Sequence, residues 1–149
     1  MLHLYSKGCE YALQALTTLD RQECRDGFSV GSVCRKAGIP EPFTRKVFQI
    51  LVKRGVLAAK RGPGGGYRLK ASPSQTTILS IIHAVDGRNV FDKCVMKDRK
   101  CDEAGHCALH DHWQQTKSGL IAQLQDSTVA DFIIPEPRSK RDQKKGEST

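Results

Sequence analysis

The sequence predicts a mainly α-helical fold that contains one small β-hairpin and ends in a long helix. Hydrophobic residues make up 38% of the 149 residues and aromatic residues only 6%, so the core must come largely from aliphatic side chains on helices. Apolar residues recur at helical spacing in several segments. A glycine-rich turn, RGPGGGY, separates two short segments of strand character.

The N-terminal third predicts two helices. Over residues 6–21 the apolar side chains recur at helical spacing, which indicates an amphipathic helix. These side chains are Tyr11, Ala12, Leu13, Ala15, Leu16 and Leu19. After a polar break, Ser29 can cap a second helix that ends at Gly38, with Val30, Val33, Cys34 and Ala37 facing inward.

A third helix is expected to start near Pro42 and to end at Gly55. Its buried stripe is predicted to consist of Phe43, Val47, Ile50 and Leu51. The opposite face would then show Thr44, Arg45, Lys46, Gln49 and Lys53. Two helices joined by a few residues, the second with basic and amide side chains near its start, are typical of a helix-turn-helix, and such side chains read base edges in a major groove.

The next segment predicts a β-hairpin, with strands over 56–60 and 67–70 and a loop over 61–66, and therefore a wing. Gly64, Gly65 and Gly66 permit a close approach of the backbone to a partner, and Arg61 at the tip can enter a narrow minor groove. The loop lacks the Gly-Lys-Ser/Thr ending of a nucleotide-binding loop. With no paired carboxylates in a plausible pocket and no nucleophile beside a base, an enzyme is not expected.

The C-terminal half predicts a helix that opens at Pro73 and Ser74 and closes at Asp86 and Gly87, and a long helix over 109–124. The long helix carries a stripe that favours pairing with a second copy of the chain, the alternative being packing on its own domain. The stripe consists of Leu109, Trp113, Leu120, Ile121 and Leu124. Thr128 or Ser127 can cap a last short helix. The predicted organisation is a winged helix-turn-helix domain over 1–72, a connecting helix, cysteine loop and dimerisation helix over 73–134, and a disordered basic tail over 135–149.

Charge is concentrated in one window of the chain. Residues 34–70 hold ten Lys or Arg and one acid, a formal charge of +9, whereas the other 112 residues sum to −1. Such focusing is typical of a polyanion partner and favours double-stranded DNA, the alternative being a solvated basic face. No run of 18 apolar residues and no signal-peptide pattern is present, so we expect a cytoplasmic protein without a membrane partner.

The segment KCVMKDRKCDEAGHCALH holds three of the six cysteines and two of the five histidines. Three thiolates and an imidazole match either an iron-sulfur cluster with one non-cysteine ligand or a tetrahedral zinc site. Unliganded surface cysteines are the third interpretation. The other cysteines have simpler interpretations: Cys9 and Cys34 as core and Cys24 as a surface thiol. His83 is expected in a local hydrogen bond, and His106 and His112 are secondary ligand candidates.

Several segments together resemble the Rrf2 family of winged-helix transcription regulators, in its iron-sulfur-binding type. They are SKGCEYALQAL, LVKRGVL, RGPGGGYRL, AVDG and the cysteine loop that runs into CALHDHW, and the likeness covers about residues 2 to 133. The resemblance implies a homodimer crossed through the long helix and a 2Fe-2S or 4Fe-4S cluster whose state decides DNA affinity.

By position, the resemblance implies Cys94, Cys101 and Cys107 as cluster ligands. His110 is the favoured fourth ligand, and Glu10 from the partner subunit is the alternative. The implied DNA contacts are Pro42, Thr44, Arg45, Lys46, Gln49, Arg61, Gly64, Gly65 and Tyr67. The first cysteine interval is one residue longer than in the family's assembly regulators, and Arg45 and Lys46 stand where those have Glu and Gln, so neither the cluster's nuclearity nor the operator carries over.

The sequence thus predicts a cluster-dependent DNA-binding transcription regulator, mostly a repressor, that senses cluster status, redox stress or nitric oxide. The alternative is a zinc-bound or cluster-free winged-helix regulator that responds to thiol oxidation or to a partner protein.

Overall fold

Six α-helices and two β-strands form the part of the chain that the computed structural model describes, which is residues 4–96, 99–101 and 107–133. The predicted tail over 135–149 lies outside these residues. Among the described residues, no helix has the length and apolarity needed to cross a membrane. The elements are α1 (Lys7–Leu16), α2 (Arg21–Asp26), α3 (Val30–Ala37), α4 (Glu41–Lys53), β1 (Leu57–Lys60), β2 (Gly66–Leu69), α5 (Ile78–Asp86) and α6 (His110–Asp126).

The helix-turn-helix is confirmed, and its boundaries follow local chemistry. The Ser29 side chain accepts a hydrogen bond from the Ser32 N–H and caps α3. Gly38 ends α3 with a φ of 68°, a left-handed conformation that glycine adopts without steric cost. Pro42 lies in the first turn of α4, where a missing N–H costs nothing.

Two predicted helices have different bounds in the structure. The first ends at Leu16, and a separate short helix, α2, begins at Arg21. A capping box stabilises this start: Asp20 accepts from the Glu23 N–H at 2.8 Å, and Glu23 accepts from the Asp20 N–H at 2.9 Å. The helix expected from Pro73 begins only at Ile78, because Pro73–Gln75 forms a single 3-10 turn and Thr77 caps α5 instead.

The buried stripe of α4 differs from the predicted one. Phe43 and Ile50 were expected in the core but are 45% and 39% exposed. The buried positions are Thr44, Val47, Phe48 and Leu51, which are three or one residues apart and share one helical face. Phe48 is at the centre of that face, and its ring packs edge-on against the rings of Phe28 and Tyr67.

The hairpin is confirmed as an antiparallel pair in which Leu57 lies opposite Leu69 and Lys60 opposite Gly66. It is fastened to the domain by an isolated bridge, since Phe28 and Tyr67 exchange two backbone hydrogen bonds of 2.8 Å. A Cβ at Gly66 would overlap the Phe28 carbonyl oxygen. The wing is therefore held against the residues that precede α3.

The C-terminal elements pack on the same core. Ile78, Leu79, Ile81 and Ile82 of α5 are buried, and the helix contacts α1 and α4. The long helix is confirmed at His110–Asp126 but contains no fully buried residue, and only Leu120, Ile121 and Leu124 pack partly on the core. The expected last helix is a 3-10 turn, Val129–Phe132, whose Val129 is fully buried.

Candidate DNA-binding surface and metal-ligand loop

The exposed side of α4 presents four of the five side chains predicted there to contact DNA: Pro42, Arg45, Lys46 and Gln49. The prediction for Thr44 is wrong. Its side chain is fully buried, and its hydroxyl donates a 2.7 Å hydrogen bond to the Pro40 carbonyl oxygen. A group so enclosed cannot reach a base edge. Phe43 and Ile50 take exposed positions on this helix instead, a placement that the sequence pattern did not indicate.

The tip of the wing is built by glycines. Gly62 and Gly64 have φ values of 95° and 71°, which favour glycine because other residues are strained there. A Cβ at Gly65 would lie 2.5 Å from the Lys60 carbonyl oxygen. Arg61, Gly64 and Gly65 are exposed, whereas Tyr67 is half-buried with its ring 5.3 Å from that of Phe48. Of the predicted wing contacts, Tyr67 therefore also supports the core.

The ten basic residues of the charged window are all exposed, and only two of them form ion pairs within the described residues. Lys36 pairs with Glu23, and Arg45 pairs with Glu41 at 2.5 Å. The other eight, on α3, α4 and the wing, are Arg35, Lys46, Lys53, Arg54, Lys60, Arg61, Arg68 and Lys70. A surface with so many unneutralised cations suits a polyphosphate backbone.

Backbone pairing shapes the start of the cysteine loop. Lys93 and Lys100 form an antiparallel bridge. The Cys94 N–H donates to the Arg99 carbonyl oxygen at 2.8 Å, and the Cys101 N–H donates to the Asp92 carbonyl oxygen at 2.9 Å. Cys94 Sγ accepts a hydrogen bond of 3.4 Å from the Met96 N–H. Both half-buried thiols are thus attached to one small two-stranded turn.

The first turn of α6 brings one predicted ligand to this turn. Cys101 Sγ lies 3.2 Å from His110 Nδ1. The His110 N–H donates to the Cys107 carbonyl oxygen at 3.0 Å, which places Cys107 one turn before His110, with its side chain exposed. The Trp113 indole N–H donates to the Lys93 carbonyl oxygen at 3.1 Å and ties the helix to the loop.

The donor set fits a soft metal centre. Thiolates and an imidazole are the ligands that iron-sulfur clusters and zinc accept, and Cys101 and His110 are already in contact. In the described parts of the chain, however, no three Cys, His, Asp or Glu side chains are close enough to hold one metal ion. Of the secondary candidates, His112 is exposed and His106 lies outside the described residues.

The alternative ligand, Glu10, is on the accessible side of α1, where its carboxylate pairs with Lys7 at 3.2 Å and accepts from the Gln14 amide at 3.2 Å. The neighbouring thiol is different: Cys9 is buried, and burial followed by the Asp86 charge raises its pKa to about 12. Cys34 is also buried, as predicted. Cys24 was expected at the surface but is half-buried, and burial first, then Asp20 and Glu23, raises its pKa.

One connection was missed from the sequence. Asp86, the last residue of α5 before the loop, accepts hydrogen bonds from both the backbone N–H, at 2.7 Å, and the hydroxyl of Ser6. Ser6 in turn caps α1. Helix α1 packs closely on α4, since a Cβ at Gly8 would lie 3.3 Å from a Val47 methyl and the Tyr11 and Phe43 rings are 5.6 Å apart.

The family model described as "Rrf2: Iron-dependent Transcriptional regulator" matches residues 5–135. The chain is 32% identical over 132 residues to a protein of Aquifex aeolicus (strain VF5) named as an HTH-type transcriptional regulator, covering 87% of this chain and 91% of that protein. It is 30% identical over 132 residues to the HTH-type transcriptional regulator IscR of Vibrio atlanticus (strain LGP32), covering 89% and 75%.

Two solved structures have the same fold. CymR (YrzC), the global cysteine regulator of B. subtilis, superposes with a TM-score of 0.72 at 21% identity, covering 88% of this chain and 95% of that one. IscR of T. potens superposes with a TM-score of 0.66 at 22% identity, covering 97% and 90%. At these identities the likeness supports the winged-helix fold alone.

Proposed function

The chain belongs to the Rrf2 family of winged-helix transcription regulators, and from this premise we propose that it is an iron-sulfur-cluster-dependent regulator, mostly a repressor, that acts in the cytoplasm as a homodimer on double-stranded DNA. Its relatives are transcriptional regulators and not enzymes. The proposal of an iron-sulfur cofactor rests on the distance of 3.2 Å between Cys101 Sγ and His110 Nδ1. The same loop also contains Cys94 and Cys107.

We propose that two parts of the chain contact DNA. On the exposed side of α4 the contacts are Pro42, Arg45, Lys46 and Gln49, and on the wing they are Arg61, Gly64 and Gly65. Seven of the eight window cations that form no ion pair within the described residues support this assignment, because neutralising phosphates releases counterions and gives a steep dependence of affinity on salt. The eighth, Arg54, lies beyond the C-terminal end of α4 and is not part of the proposed DNA-binding surface. A flat affinity between low and high salt would contradict it.

Dimerisation is proposed through α6. This helix of 17 residues buries no side chain completely within the described chain, although Leu109 and Trp113 share a face with Leu120, Ile121 and Leu124. A second copy would cover that face and would present two α4 helices to a palindrome, about one DNA turn apart.

The cluster would be held by Cys94, Cys101, Cys107 and His110, with Glu10 of a second copy as the alternative to His110. When bound, it supplies a redox-active centre that oxygen and nitric oxide can attack. The chain's own contribution is positional: Trp113 ties the loop to α6, and Asp86 ties the end of α5 to α1. A movement of the loop would therefore reach both the proposed dimer helix and, through α1, the recognition helix α4.

The ligand assignment is tested by Cys101→Ala, with Cys24→Ala as the matched control. We expect Cys101→Ala to lose the visible absorption of the purified protein without lowering the melting temperature of the winged domain, because Cys101 lies outside the buried core. Cys24→Ala should keep the colour. A normal spectrum in Cys101→Ala would remove this residue from the ligand set.

The DNA assignment is tested separately with Arg61→Ala, and with Arg21→Ala as an exposed basic control outside the proposed surface. We expect Arg61→Ala to weaken operator binding by roughly 1–3 kcal/mol and Arg21→Ala to leave it unchanged. Equal affinities for the two variants would contradict the role of the wing.

The second candidate is a zinc-bound or cluster-free regulator that responds to thiol oxidation or to a partner protein. The exposure of Cys107 favours it, because an accessible thiol is open to oxidation. Zinc in place of iron and sulfide in the purified protein would select this candidate.

A further inference from the structure

A cleft of about 850 Å³ opens between the C-terminal end of α4, the base of the wing, α5 and the end of α6. Its volume is within the usual range for sites that bind small molecules. The side chains that define its character are Arg54, Arg88, His83, Gln75 and Gln125. Neither the predicted DNA-binding surface nor the cysteine loop makes use of it.

The lining is basic. Two arginines and one histidine line the cleft, and no Asp or Glu is among the described residues that line it. Arg54 and Arg88 are exposed and His83 is half-buried, and none of the three forms an ion pair with another described residue. Two acids adjoin lining residues along the chain without lining the cleft themselves: Asp86, whose carboxylate accepts hydrogen bonds from Ser6, and the exposed Asp126, which follows Gln125.

The polar groups that remain available are complementary to an anion. Ser80 and Thr76 direct their hydroxyls to backbone carbonyl oxygens, whereas the side-chain amides of Gln75 and Gln125 form no hydrogen bond with the rest of the described chain. Arginine binds carboxylate and phosphate groups in a bidentate manner. We infer that this cleft binds a small anionic effector that carries two or more carboxylate or phosphate groups.

The position of the cleft argues against a DNA contact. Arg54 follows the last residue of α4, and Pro42 at its start is about 18 Å away along the helix axis. Gly55, Val56 and Ala71 line the cleft at the base of the hairpin, whereas Arg61 is at its tip. The cleft is thus at the C-terminal end of α4 and the base of the wing, whereas Pro42, Arg45 and Lys46 are in the first half of α4 and Arg61 is at the tip of the wing. Gln49, five residues before Arg54, is the nearest proposed DNA contact on α4.

A ligand in the cleft would bridge two parts of the molecule. Arg54 and the hairpin base belong to the DNA-reading half, and His83, Arg88 and Gln125 belong to α5, its C-terminal turn and α6. Binding would therefore fix the wing relative to α6, and DNA affinity would change in step with anion occupancy. The effect of the anion on DNA affinity would be separate from any effect of the cysteine loop and would not depend on what that loop binds.

The test is isothermal titration of the full chain, without DNA and in a low-salt zwitterionic buffer, with inorganic phosphate and with citrate. We expect saturable binding of one anion per chain. Because charged hydrogen bonds are lost, the double variant Arg54→Gln/Arg88→Gln should bind roughly tenfold or more weakly. Arg21→Gln, an exposed arginine on α2, is the control and should bind as the unaltered chain does. Tighter binding of phosphate than of citrate would identify phosphorylated effectors, and tighter binding of citrate than of phosphate would identify polycarboxylates.

Linear, unsaturable heats or equal affinity in the double variant would overturn the proposal. So would a double variant that, with no anion present, loses DNA affinity as strongly as Arg61→Ala, because the two arginines would then be DNA contacts. These outcomes leave the cysteine loop untouched, since neither arginine contacts a proposed ligand.

Discussion

At the scale of single residues, α4 separates side chains that support the fold from side chains that are free to bind DNA. Thr44 and Arg45 are neighbours in the sequence, yet Thr44 is fully buried and Arg45 is exposed. Hydrophobicity alone could not predict this division. It favoured Phe43 and Ile50 for the core, but Thr44 fits there because its hydroxyl is satisfied by the Pro40 carbonyl oxygen within the same turn.

The first prediction follows from that division. Thr44→Val should lower the free energy of unfolding by about 1 kcal/mol, because it removes one hydrogen bond and keeps the shape of the side chain. DNA affinity should not change. Arg45→Ala should lower DNA affinity and should leave the free energy of unfolding nearly unchanged, because Arg45 is exposed. Urea denaturation and DNA titration of both variants check this, and a Thr44→Val protein that folds normally but fails to bind DNA would contradict it.

The second prediction concerns Cys24. Burial raises its pKa, and the carboxylates of Asp20 and Glu23 add to this effect, against the opposing charge of Lys36. The reactive thiolate therefore forms only at a pH above the usual thiol range. In metal-free protein, alkylation of Cys24 by iodoacetamide should therefore be slow at neutral pH and should rise only at a higher pH than alkylation of an unburied thiol. Exposed Cys107 should be labelled first, as peptide mass mapping would show. Equal rates at neutral pH would contradict the burial of Cys24.

At the scale of elements, the glycines of the wing link the hairpin to the domain. Gly66 packs against the Phe28 carbonyl oxygen so closely that a Cβ has no room. The third prediction is that Gly66→Ala destabilises the protein by about 1–3 kcal/mol, a usual cost of strain in a packed region. It should also weaken DNA binding through displacement of the wing.

The matched control is Gly119→Ala on α6, where a Cβ meets open space. Alanine should stabilise that helix by about 0.5–1 kcal/mol. Thermal unfolding of the two variants gives the comparison. A Gly66→Ala protein as stable as Gly119→Ala would show that the wing is not held at Phe28.

Elements with explicit boundary signals were predictable from the sequence, and elements without them were not. Ser29, Gly38 and RGPGGGY placed α3, α4 and the hairpin to within a residue or two. Helix α2 was missed because it has no buried residue and therefore no apolar stripe. Its capping box, Asp20 with Glu23, was the available signal. The start of α5 was misplaced because Pro73 opens a 3-10 turn, and Thr77 is the true cap.

At the scale of the whole molecule, the sequence could predict the ligand types but not their distances. Spacing put three cysteines and a histidine in one loop, and folding brings Cys101 to His110. The link through Asp86 and Ser6 joins residues 80 positions apart, a tertiary contact that no local pattern encodes. The cleft at Arg54 and Arg88 was invisible for the same reason, because its walls come from four separate elements.

We propose that this molecule binds DNA with an affinity that is controlled by the state of the cysteine loop. The end of α5 before the loop is joined to α1 by Asp86 and Ser6, and α1 packs on α4, so a change in the loop has a route to the DNA-binding surface. Trp113 also joins the loop to the proposed dimer helix α6. The central claim is that the loop holds iron and sulfide rather than zinc.

The most direct test of that claim is an ultraviolet-visible spectrum of the anaerobically purified protein, with iron, zinc and acid-labile sulfide assayed on the same sample. The account predicts a brown protein that absorbs near ~400 nm, with sulfide matching iron, as thiolate-ligated clusters do. A colourless protein with stoichiometric zinc, still folded and still binding DNA, would contradict it and would make the loop a structural site.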